Sequence, residues 1–184
     1  MAGKISRRLK FIVAVLSLLL ILTVGYYLYM KEQGNFHPVT HGEAYRSAQL
    51  DRDELEYYIK KYNIRSILNL RGENPDNSWY KEEMEVSKEQ NVKHYDISLS
   101  ASREPTEDDI HKLMWISKNA QRPVLIHCQG GADRSGLAAA MWKVIVDRES
   151  KSEAEKQISI LYGHIPIGKT SAMDRFFENW IPYR

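Results

Sequence analysis

Cysteine is nearly absent from this chain, since Cys128 is the one thiol among 184 residues. A single cysteine excludes a disulfide within the chain, and it excludes metal sites built from several cysteines. It also excludes redox mechanisms that depend on a second, resolving thiol. Internal repeats and low-complexity tracts are missing as well. Any chemistry of Cys128 therefore has to proceed without a partner thiol from the same chain.

A large excess of charge of either sign is also missing, because the formal net charge at pH 7 is +2. The charge is unevenly placed, with Lys4, Arg7, Arg8 and Lys10 all preceding residue 11. Beyond them, 22 basic residues stand against 24 acidic ones and form no basic stripe. A mildly acidic body without such a stripe excludes nucleic acid as an expected partner.

Charged residues are absent from one long apolar run, Phe11 to Met30. Its 20 residues are enough for a helix that crosses the hydrocarbon core of a bilayer. Because the basic residues precede the run, the positive-inside rule places the N-terminus in the cytoplasm and the remainder of the chain outside it. That compartment is the periplasm if the sequence is bacterial. A cleaved signal peptide and a buried core helix are the two alternatives.

The apolar run divides the chain into four parts. We expect a basic cytoplasmic N-terminus over residues 1–10, a transmembrane anchor over 11–30 and a linker over 31–42. Residues 43–184 then form one folded domain. A segment of about 150 residues is long enough to bury a core of its own.

Strand-like and helix-like segments alternate beyond the linker, which predicts an α/β fold. Short apolar runs between turn residues are typical of strands, and Thr106 with Asp109 forms a capping box that opens a helix. We expect a central, mostly parallel sheet of four to five strands with helices on both faces, preceded by one transmembrane helix. The predicted strands cover residues 43–48 (as an edge strand), 64–70, 92–99 and 124–128. One predicted helix begins after Asp51 or Asp53, and another follows the loop after Cys128. The remaining predicted helices cover residues 79–90, 106–119, 152–162 and 171–180.

The loop that begins at Cys128 reaches Arg134 after five intervening residues. Five residues are enough to wrap backbone N–H groups around one tetrahedral oxyanion, and the helix that follows adds its positive N-terminal dipole. Arg134 supplies a planar, two-pronged donor for two phosphate oxygens. The same positive field favours the thiolate form of Cys128. The segment reads His127, Cys128, Gln129, Gly130, Gly131, Ala132, Asp133, Arg134, Ser135, Gly136.

At these residues the sequence resembles the cysteine-dependent protein tyrosine phosphatase superfamily, over roughly residues 36–184. The segments 45–47 and 68–73 are similar to its compact dual-specificity branch, in the atypical plant, fungal and bacterial forms. The resemblance implies that Cys128 attacks phosphorus, that Arg134 stabilises the transition state, and that Ser135 donates to the sulfur. It implies no cofactor and no metal. The substrate-binding positions would be Gln129, Gly130, Gly131, Ala132 and Ser135. Arg71 would line the rim of the site, or it would be paired with Glu73 or solvated.

The general acid is where the sequence departs from this family. Relatives use an aspartate on a mobile loop that precedes the strand leading to the catalytic cysteine. Aligning Pro105 with the family's proline puts Ser102 at the position of that aspartate. Serine is too weak an acid to protonate a leaving alkoxide. We rank Asp133 first, because some relatives carry an aspartate directly before the arginine and it is proposed there as the acid. Glu104 is second and Asp96 third.

One further motif points elsewhere, since residues 163–170 fit the nucleotide-binding pattern Gly-x4-Gly-Lys-Thr. A nucleotide site needs a strand directly before this pattern, whereas here a helical pattern precedes it and Pro166 interrupts it. We therefore expect an ordinary loop between the last two helices.

The predicted activity is hydrolysis of phosphomonoesters, with phosphotyrosine or dual-specificity protein substrates. Loop positions 129–133 carry no lysine or histidine, which favours these over highly anionic ligands. A lipid or inositol phosphate phosphatase is the alternative, given the anchor. A phosphate-binding interaction module with weak or lost catalysis is the alternative from a different class. The expected partners are a phosphorylated protein or lipid and the membrane.

Overall fold

A computed structural model describes residues 6–182. Residues 1–5, with Lys4 of the predicted basic N-terminus, and residues 183–184, at the end of the predicted domain, lie outside the described residues. The chain divides into two units, Met1–Gln33 and Gly34–Arg184.

The first unit is a single helix, α1, over Arg7–Glu32. Ser6 caps it, because its hydroxyl accepts a hydrogen bond from the backbone N–H of Leu9 at 3.3 Å. By length and composition α1 qualifies as a candidate membrane span, and its most apolar 18-residue stretch is exposed throughout. That exposure argues against the buried core helix, whereas a signal sequence is compatible with it.

The second unit is built on a five-stranded sheet in the order β1-β2-β5-β3-β4. The four strands β2, β5, β3 and β4 are parallel, and β1 pairs antiparallel with β2. The sheet is therefore mixed, with a parallel majority as predicted. The strands are β1 His37–Thr40, β2 Ala44–Ser47, β3 Ser66–Asn69, β4 Lys93–Asp96 and β5 Val124–His127.

The edge of the sheet differs from the prediction. The segment over residues 43–48, expected as an edge strand, is the internal strand β2, and β1 lies outside it within the predicted linker. Residues 31–42 were predicted to be a linker because Gly34, Pro38 and Gly42 are typical of loops. Proline is tolerated in a strand at a sheet edge, where its missing N–H faces solvent.

Helices cover both faces of the sheet, as the sequence predicted. Side chains of Asp51 and Thr106 begin α2 and α4 with complete capping boxes. The main helices are α2 Arg52–Tyr62, α3 Ser78–Glu89, α4 Glu107–Asn119, α5 Asp133–Ile145, α6 Lys151–Ala154 and α7 Ala172–Asn179.

The helix predicted over residues 152–162 is interrupted. Only α6 is α-helical there, followed by the 3-10 turns Glu155–Gln157 and Ile160–Tyr162. The carbonyl of Gln157 accepts a hydrogen bond from Arg46 Nη1 at 2.6 Å. That carbonyl is therefore engaged by a side chain from β2, while a continuing helix would need it for its own ladder.

Two hydrophobic clusters fill the two faces. The larger one packs α4, α5 and α7 on one side of the sheet, and the smaller one packs α2 and α3 on the other. Both clusters consist entirely of residues after Gly34. The unit Gly34–Arg184 therefore contains its own core and meets the ordinary requirement for independent folding.

Candidate active site

Cys128 lies at the carboxyl end of the central strand β5 and directly before the loop that leads into α5. Its side chain is 2% exposed, and its Sγ is 3.4 Å from the Oγ of Ser135 in the first turn of α5. Because α5 begins at Asp133, its N-terminal backbone N–H groups lie at the end of the loop. A hydroxyl donor and a helix dipole both favour a sulfur that carries negative charge.

Arg134 is held at the other end of the loop. Its Nη1 donates to the carbonyls of Leu70 at 3.4 Å and Leu99 at 3.3 Å. Its Nε is buried and makes no hydrogen bond with any other described residue. A guanidinium that is fixed through one nitrogen and keeps another donor for a ligand is suited to an oxyanion.

The loop also needs a glycine at position 131. Gly131 has a φ of +69°, and an added Cβ would lie 2.6 Å from the backbone nitrogen of Ala48. Such a contact forces the loop away from the end of β2. The close approach of the loop to β2 therefore depends on the missing side chain.

Arg46 on β2 supports the catalytic loop, residues 128–134. It is fully buried, and its Nη2 donates to the carbonyls of Gly131 at 2.9 Å and Ala132 at 3.0 Å. Its guanidinium carbon also lies 4.2 Å from the centre of the Tyr162 ring. Burial lowers the pKa of Arg46 to about 10, with Tyr162, Cys128 and Asp133 opposing the shift, so it is still a cation at neutral pH.

We expect Arg46→Met to destabilise the fragment 34–184 by about 3 kcal/mol in urea unfolding, because buried carbonyls lose their donors. The matched control is Arg175→Met, since Arg175 forms an exposed pair with Glu104. Exposed pairs contribute only about 0–1 kcal/mol. A loss below about 1 kcal/mol for Arg46→Met would show that the loop carbonyls find other donors.

Behind the loop, the buried carboxylate of Glu83 joins three side chains. Its Oε1 lies 3.1 Å from His127 Nε2 and 2.7 Å from His94 Nε2, and its Oε2 accepts from Gln49 at 2.8 Å. Burial alone would raise the pKa of Glu83, but the contacts with His127, His94 and Gln49 outweigh it and hold the pKa well below its usual range. The ionised Glu83 therefore fixes the ring of His127, which directly precedes Cys128.

Asp96 is the last residue of β4 and belongs to the same network. Its carboxylate accepts from Asn69 Nδ2 at 2.7 Å and from the Tyr80 hydroxyl at 3.0 Å, and it lies 3.2 Å from His94 Nδ1. Burial raises its pKa, but the hydrogen bonds from His94, Asn69 and Tyr80 prevail and lower it. These partners favour a structural carboxylate that stays ionised.

The network makes stability depend on pH through His94. Burial alone would lower the pKa of its imidazole, but hydrogen bonds to Asp96 and Glu83 raise it from 6.5 to about 9. A raised folded-state pKa gives stability that is complete below pH 6.5 and is lost as pH rises through about 9. We expect a loss of about 3 kcal/mol from this source across that window.

Urea titrations of the fragment 34–184 at several pH values check this prediction. The difference in unfolding free energy between the parent and His94→Gln should shrink as pH rises from 6.5 to 9. His41 is exposed, so His41→Gln is the matched control. This variant should leave the pH dependence of the unfolding free energy unchanged. If the unfolding free energy of His94→Gln falls with pH as steeply as that of the parent, His94 is not the source of the pH dependence.

Asp133 is tied to a histidine that sequence reasoning missed. His164 is 1% exposed, and its Nδ1 lies 2.7 Å from Asp133 Oδ1 while its Nε2 lies 2.9 Å from Asp174 Oδ2. The hydrogen bond to Asp133 raises the pKa of His164, burial opposes this, and Asp174 adds to it. The imidazole therefore tends to hold a proton between two carboxylates. Its only sequence signal was its place in the predicted loop over residues 163–170.

The other two predicted residues, Glu104 and Arg71, contact different partners. Glu104 forms an exposed ion pair with Arg175 at 3.3 Å. Arg71 donates to Gln49 Oε1 at 3.0 Å, and its guanidinium carbon lies 3.6 Å from the centre of the Trp79 ring. Burial lowers the pKa of Arg71, and the nearby charge of Arg134 lowers it further. Its described contacts therefore involve Gln49 and Trp79 instead of the alternative partner Glu73.

Acidic, histidine and cysteine side chains do not form a metal site in the described part of the chain, where no group of three or more could hold an ion. The charges that face the loop come from Arg134, Arg46 and the N-terminus of α5. This arrangement can bind one tetrahedral oxyanion next to a buried thiol.

Comparison with known proteins agrees with this geometry. Residues 30–173 match the family described as a DSP-PTPase phosphatase fused to NAD+ kinase. The chain belongs to this family. It is a cysteine-based phosphatase of the dual-specificity type, with atypical dual-specificity phosphatases as its structural neighbours. No curated protein sequence matches it significantly.

Solved structures show the same fold as this phosphatase. TpbA from P. aeruginosa is 18% identical with a TM-score of 0.61, covering 80% of this chain and 85% of TpbA. The core catalytic domain of the PP-IP phosphatase SIW14 from S. cerevisiae, in complex with citrate, is 24% identical with a TM-score of 0.62, again covering 80% and 85%. Tk-PTP in its active form is 17% identical with a TM-score of 0.61, covering 79% and 98%.

Proposed function

We propose that this chain is a membrane-anchored phosphatase that hydrolyses phosphomonoesters, with phosphotyrosine and dual-specificity protein substrates, through a phosphocysteine intermediate. The observation that carries the proposal is the pairing of a buried thiol with Arg134 across one loop. Arg46 and Glu83 hold the two ends of that loop in place. Preorganised donors around a forming charge are the main source of catalysis in such sites.

The reaction proceeds in two displacements. The sulfur of Cys128 attacks phosphorus, the S–P bond forms, and the bond from phosphorus to the leaving oxygen breaks. Loop N–H groups from residues 129–134 and the Arg134 guanidinium stabilise the equatorial oxygens. Water then attacks phosphorus and the S–P bond breaks, with Ser135 donating to the departing thiolate. The products are the alcohol or phenol and inorganic phosphate.

The leaving oxygen needs a proton, and we assign its donation to Asp133. Asp133 is part of the loop, and its Oδ1 is fixed by His164 at 2.7 Å. The water that attacks phosphorus in the second displacement returns a proton to Asp133, while His164 holds the carboxyl group in place. Glu104 is second because it lies in an exposed ion pair. Asp96 is third because Asn69, Tyr80 and His94 all engage it.

Two observations bear on the substrate class. Loop positions 129–133 present no lysine or histidine, which supports phosphotyrosine over polyphosphorylated ligands, and a cysteine-to-serine form of TpbA has been solved with pTyr. The alternative, a lipid or inositol phosphate phosphatase, draws support from the PP-IP phosphatase SIW14 and from the apolar helix α1. Arg71 and Arg134 lie close enough to affect each other, and two cations suit a phosphate dianion in either case.

The membrane anchor rests on α1. Its 26 residues span about 39 Å at about 1.5 Å per residue, more than the hydrocarbon core needs. The basic residues before the apolar run favour an N-terminus in the cytoplasm and a phosphatase unit outside it, in the periplasm of a bacterium.

The direct test uses the full chain in detergent with para-nitrophenyl phosphate, followed by acid quenching and mass spectrometry of the peptide that contains Cys128. Turnover together with a transient mass increase on this peptide supports the proposal. Turnover without a phosphorylated cysteine would contradict the mechanism. Saturable phosphate binding without turnover would support the interaction module. A panel of phosphotyrosine and phosphoserine peptides, phosphoinositides and an inositol pyrophosphate then separates the substrate classes.

A further inference from the structure

The segment between α6 and α7 exposes apolar side chains in an unusual concentration. Ile160, Ile165 and Ile167 are 69%, 51% and 76% exposed, and among the described residues of the phosphatase unit only Ile181 is a further exposed isoleucine. We call residues 160–167 the apolar loop. Water-exposed side chains of this kind, gathered in one short segment, mark an interaction site.

In the sequence, the apolar loop lies between two lysines. Lys156 and Lys169 flank it, and residues 156–173 contain no aspartate or glutamate. Both lysine positions are exposed, and Lys156 forms a surface ion pair with Glu153. Apolar side chains that project from a surface framed by lysines are typical of segments that enter an anionic lipid interface.

The apolar loop is joined to the catalytic loop by buried contacts. Asn35, which is 6% exposed, donates to the carbonyl of Gly130 in the catalytic loop and to the carbonyl of Tyr162 in the apolar loop, each at 3.0 Å. His164 of the apolar loop lies 2.7 Å from Asp133 of the catalytic loop. The two loops are therefore neighbours on the same part of the phosphatase unit.

Few residues separate Asn35 from the apolar run in the sequence. Asn35 follows Met30, the last residue of the uncharged run, by five positions. Five residues reach at most about 18 Å even when fully extended. If the run spans a bilayer, Asn35 is tethered within that distance of the hydrocarbon edge, and the two loops are in contact with Asn35.

We propose that the apolar loop docks into the surface of an anionic lipid bilayer and presents the catalytic loop to phosphate groups at that surface. The inference rests on the proposed function, because it takes α1 as a membrane span and the catalytic loop as a phosphatase site. The three isoleucines enter the interface, and Lys169 meets the anionic headgroups. Docking adds a second attachment to the one that α1 supplies.

The lone cysteine makes a direct test possible in the full chain. Cys128→Ser removes the only thiol, and Ile165→Cys then offers a single site for the environment-sensitive dye NBD. The protein is reconstituted into vesicles of phosphatidylcholine and phosphatidylglycerol. We expect a blue-shifted emission that nitroxide-labelled lipids quench. The matched control is Met84→Cys on α3, also in the Cys128→Ser background, because Met84 is exposed and apolar but lies outside the apolar loop.

Two outcomes of the labelling experiment decide the proposal. Blue-shifted and quenched emission at Ile165 but not at Met84 supports docking. Emission at Ile165 as aqueous as that at Met84 overturns docking, and would leave the apolar loop as a surface for a protein partner. An alkaline wash that releases the full chain from the vesicles would instead show that α1 is not a span.

A catalytic readout separates docking from the phosphatase activity itself. We expect Ile165→Ser with Ile167→Ser to leave kcat/KM for para-nitrophenyl phosphate unchanged and to lower hydrolysis of a phosphoinositide in vesicles by about tenfold. Equal hydrolysis of the vesicle substrate by parent and variant would overturn docking as a contributor to catalysis. If the parent hydrolyses neither substrate, the proposed function fails while the labelling result still decides docking.

Discussion

Cys128→Ser is expected to lower kcat for para-nitrophenyl phosphate by about 10⁴-fold or more, the scale seen when a covalent nucleophile is removed. Serine fits the same space, but its hydroxyl is a far weaker acid than a thiol and stays protonated at neutral pH. The structure offers Cys128 a helix N-terminus, a hydroxyl from Ser135 at 3.4 Å and the nearby cation Arg46. These groups stabilise negative charge on the attacking atom, which a thiol acquires far more readily than an alcohol.

Binding measurements show whether the loss is chemical. Cys128→Ser keeps Arg134 and the loop N–H groups, so the affinity for phosphate or a phosphotyrosine peptide should stay within a few-fold of the parent. The melting temperature of the fragment 34–184 should also change little. Retained turnover in Cys128→Ser would mean that a different group attacks phosphorus, and the phosphocysteine mechanism would be wrong.

Local features of the fold were predictable because their causes are local. The capping boxes at Asp51 and Thr106 depend on residues three positions apart, and both are present in the structure. The strand that leads into Cys128 is apolar because it lies at the centre of the sheet, and β5 has a parallel neighbour on each side. The spacing of Cys128 and Arg134 is likewise set by the size of one oxyanion.

The supports of the catalytic loop were not predictable, because they come from distant parts of the chain. Arg46 lies 85 positions before Gly131, and Glu83 lies 44 positions before His127. A buried arginine and a buried glutamate look like surface residues in a sequence, since both types are mostly exposed. The segment over residues 45–47 carried a weak signal through its family resemblance, whereas nothing local marked Glu83.

The edge strand and the segment before α7 were misread for a related reason. Residues 31–42 have loop-like composition, yet β1 gains its partner from β2. The predicted helix over residues 152–162 has helical periodicity, yet Arg46 engages the carbonyl of Gln157. In both places a tertiary contact outweighed the local preference.

Asp133→Asn is expected to lower kcat by about 10²–10⁴-fold for substrates with a poor leaving group, such as phosphoserine or an alkyl phosphate. Asparagine keeps the size of the side chain and its contact with His164 but cannot release a proton. The loss should be smaller for para-nitrophenyl phosphate, whose leaving group departs readily without protonation. The basic limb of the kcat profile should also disappear, because this limb reports deprotonation of the acid in the enzyme–substrate complex.

Two matched variants separate the acid from its surroundings. Glu104→Gln changes the second-ranked carboxylate in its exposed pair with Arg175, and it should leave kcat and both pH limbs unchanged. His164→Gln keeps a donor to Asp133 but removes the imidazole whose pKa Asp133 raises. It should therefore shift the basic limb without abolishing it, with a smaller loss of kcat than Asp133→Asn. If Asp133→Asn keeps the parental basic limb while Glu104→Gln loses it, the acid is Glu104, and the contact between Asp133 and His164 serves to fasten the apolar loop to the catalytic loop.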